Sequence, residues 1–299
     1  MLADIVTQVA GQLELSYWQA ILTGFLQGVT ELFPISSLGH SILVPAWIGG
    51  EWKDFLTNTT AGESPYLLMI IALHAASAIT LLLIFWKRWL QLIRAFFASL
   101  KLRSIETPES RIIWLILVAT IPVGVLGIAF EREFQVLFSE PLAASIFLTL
   151  NGLILIIAEK SSRRKTVTDS DETLVHQISF KSAFTIGVAQ SAALFPGISR
   201  FGVTMGAGLN RGLSHSAASD FAFLLATPVI LGAGILKIPD LFNPEISHII
   251  GPVIVGSIVA ALGTYISVKI LVKWFKHHTL YPFAFYCLFI GAISVIKFL

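Results

Sequence analysis

Apolar runs of about twenty residues recur along the chain, separated by short polar connections. Wound as a helix at 1.5 Å per residue, such a run matches the hydrocarbon thickness of a bilayer. The pattern predicts six membrane-crossing helices, over residues 66–86, 112–130, 142–159, 216–236, 248–270 and 280–297. Pro122 and Gly124 predict a kink in the second of these. Two other apolar segments are interrupted. Residues 17–30 and 38–48 flank a break around Phe33-Pro34, and residues 181–209 break at Pro196-Gly197. Each arm is too short to cross alone. Each pair therefore reads as a re-entrant helical hairpin, which is tolerated only where protein or water covers the broken backbone.

Charge then orients the chain. Loops 87–111, 160–181 and 269–278 hold most of the Lys and Arg, while 49–65, 131–140 and 238–247 are poor in base and rich in acid. The two sets alternate, as the positive-inside rule requires if the first set is cytoplasmic. Both termini then lie outside. The first hairpin enters and leaves from outside, the second from the cytoplasm. The expected fold is an all-α integral membrane protein: six transmembrane helices plus two re-entrant hairpins in an inverted-topology repeat. It forms a single membrane domain over 1–299, with halves at 17–160 and 180–299 and a shared site near the midplane. Residues 1–16 read as an interfacial helix, and no basic segment precedes an apolar core there, so a cleavable signal peptide is not expected.

Composition agrees. Of 299 residues, 55% are hydrophobic and 13% charged, against about 25% charged in a soluble domain. A net charge of +2, spread over loops, gives no nucleic-acid surface. The single cysteine, Cys287, excludes an intramolecular disulfide and a cysteine metal site.

Polar residues concentrate where the helices break. Residues 24–40, GFLQGVTELFPISSLGH, carry Gln27, Thr30, Glu31, Ser36, Ser37 and His40. Residues 187–204, GVAQSAALFPGISRFGVT, echo them. Setting Gly24 on Gly187 also sets Gln27 on Gln190, Ser36 on Ser199, Ser37 on Arg200 and Gly39 on Gly202. Gln27 and Glu31, four apart, share a helix face. That face could seal a helix pair, but a carboxylate at membrane depth needs a cation or a proton, which a divalent metal or a substrate would supply. Ser36, Ser37 and Gly39 open a helix whose amino end favours phosphate. One serine is expected merely to cap that helix, and the sequence leaves open which. His40 could act as acid, base or nucleophile, or could simply bond a backbone carbonyl. Arg200 offers a planar donor fork suited to phosphate, with an ion pair to Glu31 as the competing role. Ser199 and Thr204 could add donors. His74 reads as a packing residue, and Asn151 and Asp220 as weaker candidates. These groups fit phosphoryl transfer on a lipid-linked phosphate and, nearly as well, an anion transporter.

The motifs Gln27-Gly-Val-Thr-Glu31, Pro34-Ile-Ser-Ser-Leu-Gly-His40 and Pro196-Gly-Ile-Ser-Arg200, with the run Phe221 to Pro228, resemble those of the undecaprenyl-diphosphate phosphatase family, the bacitracin-resistance proteins. The resemblance runs over nearly the whole chain. It implies an integral hydrolase that removes the terminal phosphate of undecaprenyl diphosphate. The monophosphate product is reused as the cell-wall lipid carrier. It also implies a divalent cation, Mg²⁺ or Ca²⁺, a site facing the outer side of the bacterial cytoplasmic membrane, and bacitracin resistance. Carried over, Glu31 would hold the metal or orient the nucleophile, with Gln27 beside it. Ser37 and His40 would share the nucleophile and acid/base roles, and Arg200 would clamp the diphosphate. Ser36, Ser199 and Thr204 would bind phosphate. The expected partners are the polyprenyl diphosphate and membrane lipids, with a homodimer admissible. Three positions depart from the family pattern: Gln27 for Glu, Leu38 for Thr and Phe201 for Ser. The latter two would remove hydroxyls beside the phosphate. A lipid-phosphate flippase or small-anion transporter is the alternative function, and a degenerate paralogue a third.

Overall fold

The computed structural model describes residues 15–50, 52–53, 65–138, 140–162, 178–242 and 247–299. The predicted amino-terminal helix and much of the loops 49–65 and 160–181 fall outside the described residues.

All regular structure among the described residues is helical. The first helix, α1 (Tyr17–Thr30), starts at a capping box: Ser16 Oγ accepts from Gln19 N, and Gln19 Oε1 accepts from Ser16 N. After the break comes α2 (Ser37–Ile48). The first half continues with α3 (Pro65–Ile84), α4 (Trp86–Leu102), α5 (Pro108–Ala129), α6 (Glu131–Leu137) and α7 (Pro141–Ser162). The second half holds α8 (Phe180–Ser191), a short 3₁₀ turn at Ala192–Leu194, α9 (Arg200–Asn210), α10 (His215–Lys237), α11 (Ile250–Trp274) and α12 (Tyr281–Phe298). Helices α3, α5, α7, α10, α11 and α12 are long and apolar enough to cross a membrane. The chain is a multi-pass membrane protein. α5 continues through Pro122 without interruption.

The connection 87–111 departs from the sequence reading. Most of it is α4, a helix with no glycine or proline inside it. It is held against α5, where Trp114 Nε1 donates to Ser99 Oγ at 3.0 Å and the Phe96 and Trp114 rings lie 5.3 Å apart. The acidic connection after α5 likewise contains the short α6.

Helix packing positions the site. α1 lies along α11, α8 along α5, α7 along α12, and α10 and α11 both pack on α3. The closest approaches use missing side chains. A Cβ on Gly24 would collide with the Gly256 carbonyl of α11, and one on Gly187 with the Ala119 carbonyl of α5. In lipid, where water does not drive helices together, such backbone proximity is what association rests on.

Candidate active site

The first break supplies an acid and a hydroxyl. α1 ends with Glu31 as its C-cap, and Gln27 one turn earlier donates from Nε2 to Glu31 Oε2 at 3.0 Å. Past Pro34 the chain must turn sharply to begin α2. Ser36 makes that turn with φ 69° and ψ 101°, a conformation that costs a non-glycine residue roughly 1–3 kcal/mol. Its hydroxyl accepts from Gly39 N at 3.2 Å, so Ser36 is the capping serine. Ser37 is left for the site: its Oγ donates to Glu31 Oε2 at 2.5 Å.

A third group arrives from α3. His74 Nδ1 donates to Ile70 O at 2.8 Å, which fixes the ring. Its Nε2 lies 3.1 Å from Glu31 Oε2 and 3.3 Å from Ser37 Oγ. His74 is therefore not the packing residue it reads as in sequence. The signal was present, an imidazole among Ala72, Ala75, Ala76 and Ser77, small residues that let a neighbour approach closely. Nothing in its spacing, however, ties it to Glu31.

The second break supplies a cation. Ser199 Oγ accepts from Gly202 N at 3.1 Å and caps α9. Arg200 is the first residue of that helix, and its buried Nε and Nη1 have no partner within the protein. The direct partner of Glu31 is His74, while the Arg200 charge attracts the same carboxylate without a hydrogen bond from Nε or Nη1. Buried donors left unsatisfied are costly, and a polyanion would satisfy them.

The two breaks meet. A Cβ on Gly39 would lie 2.9 Å from Gly197 Cα, and one on Gly202 would lie 3.2 Å from Pro34 Cβ. Asn151 of α7 ties them together: its Nδ2 donates to Pro34 O at 3.0 Å, and its Oδ1 accepts from Ser199 N at 3.0 Å. The amino ends of α2 and α9, both partially positive, thus face one small cavity of about 40 Å³. Glu31, Ser36, Ser37, Leu38, His74, Ser199 and Arg200 line it, with Ala193 and Ile198.

Some expected residues lie elsewhere. His40 is not among the lining residues. Its Nδ1 donates to Ser36 O at 2.7 Å and its Nε2 meets Tyr286 Oη at 2.8 Å, on which the ring also stacks. One turn after Ser36, the ring is drawn back to that carbonyl, so His40 supports the strained turn. Thr30 Oγ1 bonds back to Leu26 O. Thr204 Oγ1 is buried without a partner and outside the lining. Phe201 does not border the cavity either: its ring packs on Phe223 and Phe275, with centroids 4.9 and 5.9 Å away. Of the two expected hydroxyl losses, only Leu38 changes the cavity wall.

Comparison with known proteins identifies the family. The chain is 46% identical to an undecaprenyl-diphosphatase of Mycolicibacterium paratuberculosis, covering 94% of this chain and 97% of that one. It is 41% identical to undecaprenyl-diphosphatase 2 of Frankia alni (95% and 98% covered) and 37% identical to undecaprenyl-diphosphatase 2 of Chromobacterium violaceum (93% and 97%). Residues 20–293 match the family described as Bacitracin resistance protein BacA. The chain belongs to the bacitracin resistance protein BacA family.

Proposed function

We propose that this protein hydrolyses undecaprenyl diphosphate to undecaprenyl phosphate and inorganic phosphate. That reaction recycles the cell-wall lipid carrier and confers resistance to bacitracin. One observation carries the reading: a hydroxyl held by a carboxylate and an imidazole faces a buried guanidinium with open donors, inside an apolar protein. The relatives' activity fits that site.

In the proposed reaction the diphosphate enters with its terminal group against Arg200, whose Nε and Nη1 take up phosphate oxygens. The N–H groups at the start of α2 and α9 add positive ends. Ser37 Oγ attacks the terminal phosphorus and passes its proton to Glu31. The new Oγ–P bond forms as the anhydride P–O bond breaks, and undecaprenyl phosphate leaves. Water then cleaves the phosphoserine, phosphate departs, and Ser37 regains its proton. His74 Nε2, near both Oγ and Oε2, holds the proton shared among the three. His40 is a positioning residue acting through Ser36. Charge developing on the transferred group is stabilised by Arg200, the kind of contribution that dominates phosphoryl transfer.

A divalent cation, Mg²⁺ or Ca²⁺, belongs to the proposal. The donors fit it: Glu31 is a hard carboxylate, and Gln27 Oε1 beside it is buried without a partner. No group of three or more His, Cys, Asp and Glu that could hold a metal occurs among the described residues. Glu31 and Gln27 would therefore hold an ion that takes its other ligands from phosphate and water, the habit of Mg²⁺. Such an ion would supply charge neutralisation on the diphosphate.

The finer architecture is also proposed. The chain is an inverted-topology repeat with two re-entrant hairpins, its halves at 17–160 and 180–299, placed in the bacterial inner membrane with the site open to the outer side. Matched contacts support this. Gly24 meets α11 as its counterpart Gly187 meets α5, and Gly39 meets Gly197 as Gly202 meets Pro34. The basic loops support the orientation. Assembly as a homodimer is a further part of the proposal, open to cross-linking in membranes.

The test is phosphate release from undecaprenyl diphosphate by purified protein in detergent, with and without Mg²⁺ or Ca²⁺, beside Arg200→Ala. Metal-dependent release, reduced about 10²–10³-fold in the variant, is the expected result. A folded wild type that moves the lipid across vesicles but releases no phosphate would instead be the transporter.

A further inference from the structure

Helix α4 presents three distinct faces. Trp89, Leu92, Phe96 and Ser99 turn toward the protein, and α5 covers part of them. A second stripe, Trp86, Leu90, Ile93, Phe97 and Leu100, follows helical spacing and is exposed, from 41% at Leu90 to 63% at Phe97. A third stripe, Lys87, Gln91, Arg94, Ala98 and Lys101, runs alongside and is also exposed. No acidic residue occurs between Trp86 and Leu102. Arg88 is outside the basic stripe and is already engaged by Glu109 at 3.5 Å.

We infer that α4 is a docking surface for the anionic phospholipids of the leaflet it borders. Five large apolar side chains along one exposed face are not stable against water. Ile79 and Leu83 of the adjoining α3 are exposed as well, so the stripe continues the surface that a spanning helix offers to lipid. The basic stripe then lies at headgroup level, where Lys and Arg on an amphipathic helix meet anionic headgroups. A second copy of this chain fits less well. Two α4 helices paired through their apolar stripes would set two rows of Lys87, Arg94 and Lys101 near each other with no carboxylate between them. Under the orientation proposed above, the leaflet is the cytoplasmic one.

The test uses the full chain in nanodiscs. Ala98→Cys, exposed on the basic stripe, takes a fluorophore, while buried Cys287 stays unreactive. Quenching is compared for phosphatidylglycerol and phosphatidylcholine carrying the same doxyl label near the headgroup. Phosphatidylglycerol should quench several-fold more effectively at low salt, since Lys and Arg near an anionic surface draw its headgroups to them. Combining Lys87→Gln, Arg94→Gln and Lys101→Gln should bring the preference to within about twofold of unity, as should high salt. Equal quenching by both lipids in the parent, or an unchanged preference in the triple variant, overturns the inference. Shielding from both lipids with self-quenching that rises with protein density assigns the stripe to a second copy and also overturns it.

Discussion

Asn151→Leu isolates what holds the site together. Leucine keeps the branch at Cγ on α7 but is bulkier and removes the amide, at a position that is fully buried. Pro34 O then loses its donor at 3.0 Å and keeps only the weak Cys287 thiol at 3.8 Å, while Ser199 N loses its acceptor at 3.0 Å. An orphaned buried group costs about 1–3 kcal/mol; with Ser199 N orphaned and Pro34 O weakened, the variant should lose about 1–6 kcal/mol of stability. The larger effect should be on chemistry. Asn151 is bonded to both breaks, so it should set the distance from Ser37 to Arg200. A displacement of about 1 Å at reacting groups can cost about 10²-fold in rate. Leu81→Ala is the control: Leu81 is buried on α3, and its truncation should cost a comparable 2–5 kcal/mol through a cavity. Unfolding in detergent would give the stability of each variant. Single-turnover phosphate release, well below both midpoints, would give the rate. Asn151→Leu should fall about 10²-fold while Leu81→Ala stays within a few-fold of the parent. If the two lose activity equally, or if Asn151→Leu keeps both stability and rate, the amide does not align the site.

Three other outcomes follow from the same geometry. His74→Phe should lower turnover about 10²–10⁴-fold, the range for removing a proton-handling group, whereas His40→Phe should act through stability and KM; the reverse ranking in steady-state assays would restore His40 as the reacting imidazole. Gln27→Glu adds a second carboxylate beside Glu31 and should tighten Mg²⁺ binding in the protein without substrate, measured by calorimetry; unchanged affinity would remove Gln27 from the ion's ligands. Gly24→Ala should destabilise by about 1–3 kcal/mol because its Cβ meets the Gly256 carbonyl, while Gly124→Ala, with open space around it, should be neutral or gain up to about 1 kcal/mol; equal unfolding midpoints would contradict the α1–α11 contact.

Periodicity and length located the spans. The run read as 66–86 is the helix Pro65–Ile84, and 216–236 is His215–Lys237. Hydropathy works here because the bilayer forces every apolar run of that length into one shape. The same reasoning misses α4, because Lys and Arg in a connection read as loop charge and mask the apolar stripe that begins at Trp86. Within the site, sequence brought Glu31, Ser37 and Arg200 into view but could not separate Ser36 from Ser37. That distinction depends on a backbone dihedral, φ 69° at Ser36, which no spacing rule specifies. His74 could not be assigned because its partners lie in another helix. For His40 the motif suggested chemistry, yet Tyr286 and the Ser36 carbonyl already occupy both ring nitrogens.

The matched positions explain why opposite chemistries face each other. Ser37 is the first residue of α2 and Arg200 the first residue of α9, and the two occupy the same place in the two echoing stretches. In the proposed inverted repeat, groups at equivalent positions of the two halves approach a single point. Both Ser37 and Arg200 line the one cavity. A symmetric site would set like beside like: two serines without a clamp, or two buried arginines repelling each other. Here one half keeps the hydroxyl, with Glu31 one hydrogen bond away, and the other substitutes a guanidinium. Packing is retained while the chemistry differs. Ser36 and Ser199 both remain caps, and Gly39 and Gly202 both remain close contacts. Ser37 and Arg200 therefore lie beyond two different helix breaks, and Asn151 is bonded to both breaks.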